Sequence, residues 1–238
     1  MYLSRLELNL RSRAVQRDLA DCQELHRTLL KAFPNLPGGR VRQDSGLLYR
    51  EDDGRNGIVK ILVQSKLEPD WSFLKEGYLI RCEGPKQIDR SYEKLHDGQV
   101  LSFVLKANPT RKTGTSLKTE HTTGTKKNGT RKFITDINEQ LQWIARKGKD
   151  GGFELVSVKV GVGVFDVDIR PETIVKGQKQ IKNCSNNSPN TKELTFGSVL
   201  FSGHLKITDQ NKFVETVCGG IGSGKAYGFG LLSLALPR

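Results

Sequence analysis

Two groups of residues have the types and spacing to act on a polyanion. The first is a glycine run, Gly219-Gly220-Ile221-Gly222-Ser223-Gly224-Lys225-Ala226-Tyr227-Gly228-Phe229-Gly230. Glycines let backbone amides approach a phosphate closely, and the lysine adds positive charge. Gly219-x-x-x-x-Gly224-Lys225 nearly matches a P-loop, but Ala226 stands where a Ser or Thr hydroxyl would hold magnesium. The loop therefore reads as a clamp for a polynucleotide backbone, through Gly222, Ser223, Gly224 and Lys225. The competing reading is a tight helix-to-strand connection. The second group centres on His26, with Gln23 one turn before it and Arg27 and Lys31 on the polar side of the same helical stretch. Histidine titrates near neutrality and can move a proton in phosphodiester cleavage. Nearby cations can hold the phosphate and stabilise its developing charge. On its own, a histidine at the border of an apolar stripe is more often structural.

Other chemistry is thinner. His96, His121 and His204 have no partner at metal-ligand spacing. Asp166 and Asp168 alternate on one strand face and would serve a metal-dependent nuclease, although solvent-facing acids are the simpler account. Cys22, Cys82, Cys184 and Cys218 form no CxxC pair. Residues 1–8 alternate like a strand and carry no apolar leader, so reduced thiols in a cytoplasm are expected. No metal or other cofactor is expected. No apolar run approaches the roughly 20 residues of a spanning helix, so no membrane is expected either.

The elements that must position these residues follow from periodicity. Tyr2 to Leu8 alternates as a strand. Ala14 to Phe33 is helical, with Leu25, Leu29, Ala32 and Phe33 inward and Asp21 capping a second helical piece. Strands are predicted at 46–49, 57–64 and 77–81, and a short helix at 69–75. The order β-α-β-β-α-β is the ferredoxin-like pattern. A polar linker follows over 82–98, and 99–107 opens a second strand-first unit. That unit continues with a helix over 135–147, with Ile137, Leu141, Ile144 and Ala145 inward, then strands within 153–169 and 194–207. A helix begins at Asp209, and 229–236 is a closing strand. The predicted fold is α+β, with two tandem ferredoxin-like (RRM-like) domains: 1–81 carrying His26, and 99–238 carrying the glycine loop.

Charge sharpens the choice of partner. Lys and Arg total 38 against 26 Asp and Glu, a formal net charge of +12. Such a balance points to a nucleic acid. Two insertions concentrate it. Arg111, Lys112, Lys118, Lys126, Lys127, Arg131 and Lys132 share a Thr/Gly-rich stretch, read as a mobile basic loop that either touches RNA or is simply solvated. Residues 170–190 carry Arg170, Lys176, Lys179 and Lys182, read as a hairpin arm across RNA or a surface excursion.

Several separated motifs, in order, resemble the CasE family, the repeat-specific endoribonucleases of type I-E CRISPR systems. They are Met1-Tyr2-Leu3-Ser4, Arg17-Asp18-Leu19, Leu25-His26, Ala107-Asn108-Pro109, Gly220-Ile221-Gly222 with Lys225, and Gly228-x-Gly230-Leu231-Leu232-Ser233-Leu234. The resemblance runs essentially end to end. It implies metal-independent cutting of a CRISPR repeat stem-loop, His26 as the catalytic histidine, and retention of the product in the Cascade complex with its other subunits. Members of that family usually carry a tyrosine three residues before the histidine, where this chain has Gln23. Glutamine can hydrogen-bond a 2′-hydroxyl or phosphate oxygen but cannot act as a phenolic acid. The implied reaction is attack of a ribose 2′-hydroxyl on the adjacent phosphate, giving a 2′,3′-cyclic phosphate, with His26 as base or acid. A non-catalytic subunit holding guide RNA is the alternative.

Overall fold

The computed structural model describes residues 1–34, 41–53, 58–113, 130–159, 163–181 and 190–237. The first unit comprises β1 (Tyr2–Leu8), α1 (Arg13–Ala20), α2 (Cys22–Leu30), α3 (Val41–Ser45), β2 (Leu48–Asp53), β3 (Val59–Ser65) and β4 (Leu79–Gln87). Its four strands are antiparallel in the order β2-β3-β1-β4. That is the ferredoxin-like order, with β1 paired on both sides and its Leu6 and Leu8 buried in one core cluster with Ile61, Val63 and Leu25. Pairing of β1 with β4 runs as far as Tyr2 opposite Gln87, so the strand expected at 77–81 extends well into the stretch read as linker.

The second unit follows a short α4 (Asp89–Glu93). It holds β5 (Val100–Ala107), β6 (Thr110–Thr113), β7 (Thr130–Phe133), α5 (Ile137–Asp150), β8 (Phe153–Leu155), β9 (Ser157–Lys159), β10 (Val164–Phe165) and β11 (Val167–Pro171). It ends with β12 (Val175–Ile181), β13 (Asn190–Phe196), β14 (Val199–Ile207), α6 (Gln210–Gly219) and β15 (Leu232–Ala235). Its main sheet runs β11-β14-β5-β15, the same order as the first once the insertions are set aside. Phe103, Leu105, Phe201, Phe213 and Trp143 fill the core beneath α5 and α6.

Three expectations are corrected. Residues 69–75 form turns, not a helix: the Asp70 carboxylate accepts from the Ser72 amide, and buried Trp71 donates to Ser4 at 3.1 Å. That local Asx bond competes with the helical pattern. Ile137 faces outward, 54% exposed, while Gln140 takes the buried position and donates to the Ile134 carbonyl at 2.8 Å. The basic stretch begins and ends as a paired hairpin, β6 against β7, which holds Arg111, Lys112, Arg131 and Lys132 in register. Lys118, His121, Lys126, Lys127, Lys182 and Cys184 lie outside the described residues.

Candidate active site

Three elements meet around His26. Helix α2 carries it, and Asp21 starts that helix as its N-cap, accepting from the Gln23 amide at 2.8 Å. The side chain is buried, at 8% exposure, on the boundary of the Leu25–Leu29 stripe. The glycine loop of the second unit comes up against it. Between Gly224 and Gly228, both left-handed (φ 77° and 83°), residues Lys225–Tyr227 form one 3-10 turn. Only residues without a Cβ take such angles readily, and a Cβ on Gly224 would lie 2.9 Å from the Phe229 ring. The turn brings Tyr227 against His26 in a T-shaped ring contact, with centroids 5.8 Å apart at 66°. The Tyr227 hydroxyl donates to Oε1 of Gln23 at 3.1 Å.

The third element is the arm. Strands β12 and β13 pair from Val175–Phe196 to Ile181–Asn190, so the segment read as an arm or an excursion is an antiparallel hairpin. It rests on the start of α2, where the Gln178 amide donates to the Asp21 carboxylate at 3.1 Å. Buried Gly177 packs so closely that a Cβ there would meet Cys22 Sγ at 2.6 Å. At the arm's other end Phe196 lies 4.9 Å from the Tyr227 ring. Lys176 and Lys179 are exposed on β12. Arg170 belongs to β11, paired opposite Leu200, and binds Asp168 at 2.9 Å.

This enclosure sets the electrostatics. Burial first, then the charges of Arg42 and Lys179, push the His26 imidazole down to about 4. It is therefore neutral at pH 7 and available to accept a proton. Its Nδ1 is buried with no hydrogen-bond partner among the described residues. The cations acting on His26 come from α3 and the arm. Arg27 is exposed and paired with Glu24, and Lys31 is an exposed C-cap. Burial also lowers Lys225, whose Nζ donates to the Gly219 carbonyl at 2.6 Å and closes the loop on itself. Ser223 is tied to Asn108 by a β-bridge. Burial raises the Tyr227 phenol above its ordinary value, so it stays protonated as a donor at neutral pH.

Beside this cluster runs a basic groove of about 680 Å³. Arg111, Lys112, Arg131, Arg146, Lys147 and Lys225 line it against a single acid, Asp150. Gly222 and Trp143 are also in its wall, where the absent Cβ leaves room for the indole. The other acids singled out in the sequence are engaged elsewhere: Asp166 with His204 at 2.5 Å, and Asp168 with Arg170. Among the described residues no group of three or more His, Cys, Asp or Glu side chains gathers as a metal site. No helix among them is long and apolar enough to cross a membrane.

Sequence reasoning missed Arg42, Tyr227 and Arg146. Arg42 lies on a five-residue helix next to residues with no clear period, so nothing in the sequence signals its approach. Tyr227 sits inside the glycine run itself, and an aromatic amid glycines was the available clue.

Tandem ferredoxin-like domains, a basic groove and a buried neutral histidine at their seam define an RNA-processing type of protein. Comparison with known proteins makes this specific. A family model described as "CRISPR associated protein" matches residues 1–236. The CRISPR-associated endoribonuclease Cse3 of Thermus thermophilus is 35% identical over 238 residues, covering 99% of this chain and all of that one. A structure of Cse3 bound to 19 nt RNA superposes with a TM-score of 0.79 at 33% identity, covering 99% of this chain and all of that one. A chain of a CRISPR RNA-guided surveillance complex, captured before nicking, matches at 25% identity and a TM-score of 0.61 over the whole of both chains. The chain belongs to this CRISPR-associated family, in its CasE (Cse3) branch of endoribonucleases.

Proposed function

We propose that this chain binds the stem-loop of a CRISPR repeat RNA and cuts it at His26 without a metal. The neutral His26 imidazole removes the proton of the ribose 2′-hydroxyl. The 2′-oxygen bonds to the adjacent phosphorus, and the bond from phosphorus to the 5′-oxygen breaks. The products are a 2′,3′-cyclic phosphate and a 5′-hydroxyl, which takes up a proton. Arg42, Lys179 and Lys31 stabilise the charge on the phosphorane, with Arg27 nearby on α2. The groove walls, Gly222 to Lys225 and the arm lysines 176, 179 and 182 hold the stem, with Arg170 at the arm's root. The division into 1–81 with His26, a linker over 82–98 and 99–238 with the glycine loop is the organisation proposed for that task. The product stays bound within a surveillance complex, a reading that the likeness to a chain of such a complex supports, and the protein acts in the cytoplasm.

The observation that carries this reading is a neutral buried histidine beside a groove with six cations and one acid. The test incubates purified protein with the host's end-labelled repeat RNA in excess EDTA, alongside His26→Ala. One cut at the 3′ base of the stem, lost in the variant while binding persists, is expected. Cutting by His26→Ala at the normal rate would refute the assignment. Cutting that stops in EDTA would point to a metal enzyme. Tight binding without a cut would favour the non-catalytic guide-RNA subunit.

A further inference from the structure

We propose that Tyr227 is a positioning residue of the cleavage reaction, holding the His26 ring by a T-shaped ring contact and the Gln23 carboxamide with its phenol. The inference rests on the function proposed above and deepens it. Catalytic histidines are ordinarily fixed by a hydrogen bond on the ring nitrogen that does no chemistry. His26 lacks that device, since Nδ1 is buried without a partner among the described residues. What limits the ring instead is the T-shaped contact with the Tyr227 ring, itself backed by Phe196 of the arm. An edge-to-face contact restrains tilt at little cost in burial.

The phenol does a second job. By donating to Oε1 of Gln23, it fixes which way that amide points. The two hydrogens on Nε2 then face away from Tyr227 as a ready donor pair. Gln23 lies one helical turn before His26, on the same side of α2. A phosphodiester oxygen presented to His26 would therefore meet an amide already turned to donate. Preset donors of this kind avoid reorganisation during reaction. Tyr227 is placed by Gly224 and Gly228 from the second domain. The orientation of two side chains on the first domain thus depends on the seating of the second.

The test is single-turnover cleavage of the repeat RNA in EDTA by Tyr227→Phe, Gln23→Ala and the double variant. Equilibrium RNA binding is measured in parallel. Tyr227→Phe keeps the ring and removes only the hydroxyl, so folding should be undisturbed. It is expected to lower the rate constant about 10-fold, the scale of one lost hydrogen bond, with the RNA Kd within about twofold. Adding it to Gln23→Ala should cost nothing more, because the phenol acts through that amide. Tyr227→Phe cutting at the wild-type rate would overturn the proposal, as would losses that multiply in the double variant. A second measurement needs no activity. NMR titration of His26 in the free protein should show its pKa rising towards the ordinary value in Tyr227→Leu, because the site opens to water. An unchanged titration would refute the ring contact. If the wild-type chain binds repeat RNA but does not cut it, the proposed function fails, and the His26 titration still decides whether Tyr227 shapes the site.

Discussion

His26 shows how burial converts a common residue into a specific reagent. With its pKa down to about 4, the folded protein holds it neutral over the range where an unfolded chain would protonate it, near 6.5. Between those values the unfolded state binds more protons, so stability falls as pH falls. The loss on going from pH 7 to pH 5 is about 2 kcal/mol from this group. Denaturant unfolding at both pH values should show that difference in the wild type, and His26→Gln should reduce it by about that amount. An equal acid loss in both proteins would mean the imidazole is not held neutral. The residue type and its place at the edge of a stripe were legible from helical spacing. Its state was not, because the second domain and Arg42 set it from far along the chain.

At the scale of elements, α2 is held from both domains. Buried Asp18 accepts from Thr28 at 2.7 Å and from Tyr78 at 2.8 Å, locking α1 and α2 to the approach of β4. Asp21 starts the helix and also takes the arm's Gln178 amide. The arm can seat only because residue 177 is glycine, so Gly177→Val should lift β12 from α2 by collision with Cys22 and Asp21. The expected result is a fall in cleavage rate of about tenfold or more, since ångström displacements near reacting groups cost rate steeply. Single-turnover rates measure it, and a wild-type rate would mean the arm's seat is irrelevant to cutting. Periodicity shows α1, α2, α5 and α6 and the strands that frame them, and Asp21 reads as a cap from its type alone. The hairpin in 170–190 is ambiguous in the sequence because its strands, Val-Lys-Gly-Gln-Lys-Gln-Ile and Asn-Thr-Lys-Glu-Leu-Thr-Phe, show no apolar alternation like that of β5 and β14. The false helix at 69–75 had the opposite cause: its residues suit a helix, but Trp71 is claimed by the core and Asp70 by its own turn.

The whole molecule depends on a polar seam between the two domains. Buried Arg50 donates to the Val104 carbonyl at 3.2 Å and to Ser233 at 2.8 Å. Gln64 donates to the Val217 carbonyl, and Tyr49 to the Ala226 carbonyl inside the glycine turn. Directional bonds of this kind fix orientation more sharply than apolar contact, because each fails if its partner slides. The seam therefore sets Lys225 towards the groove and Tyr227, two residues on, towards His26. A phosphate backbone lying in the groove is led to the histidine by that one turn. If the groove carries the stem, its cations displace counterions, and affinity must fall with salt in proportion to the phosphates contacted. Replacing Arg146 and Lys147 with Gln removes two of the six lining cations from the groove side of α5, leaving the seam intact. The slope of log K against log salt should then become shallower by about 1.5. Titrations at several salt concentrations measure it, with His26→Ala as the background so that cutting does not intervene. An unchanged slope would put the stem elsewhere on the protein. A shallower slope, with the single cut at the same position, would tie the groove to holding RNA and the seam to presenting it.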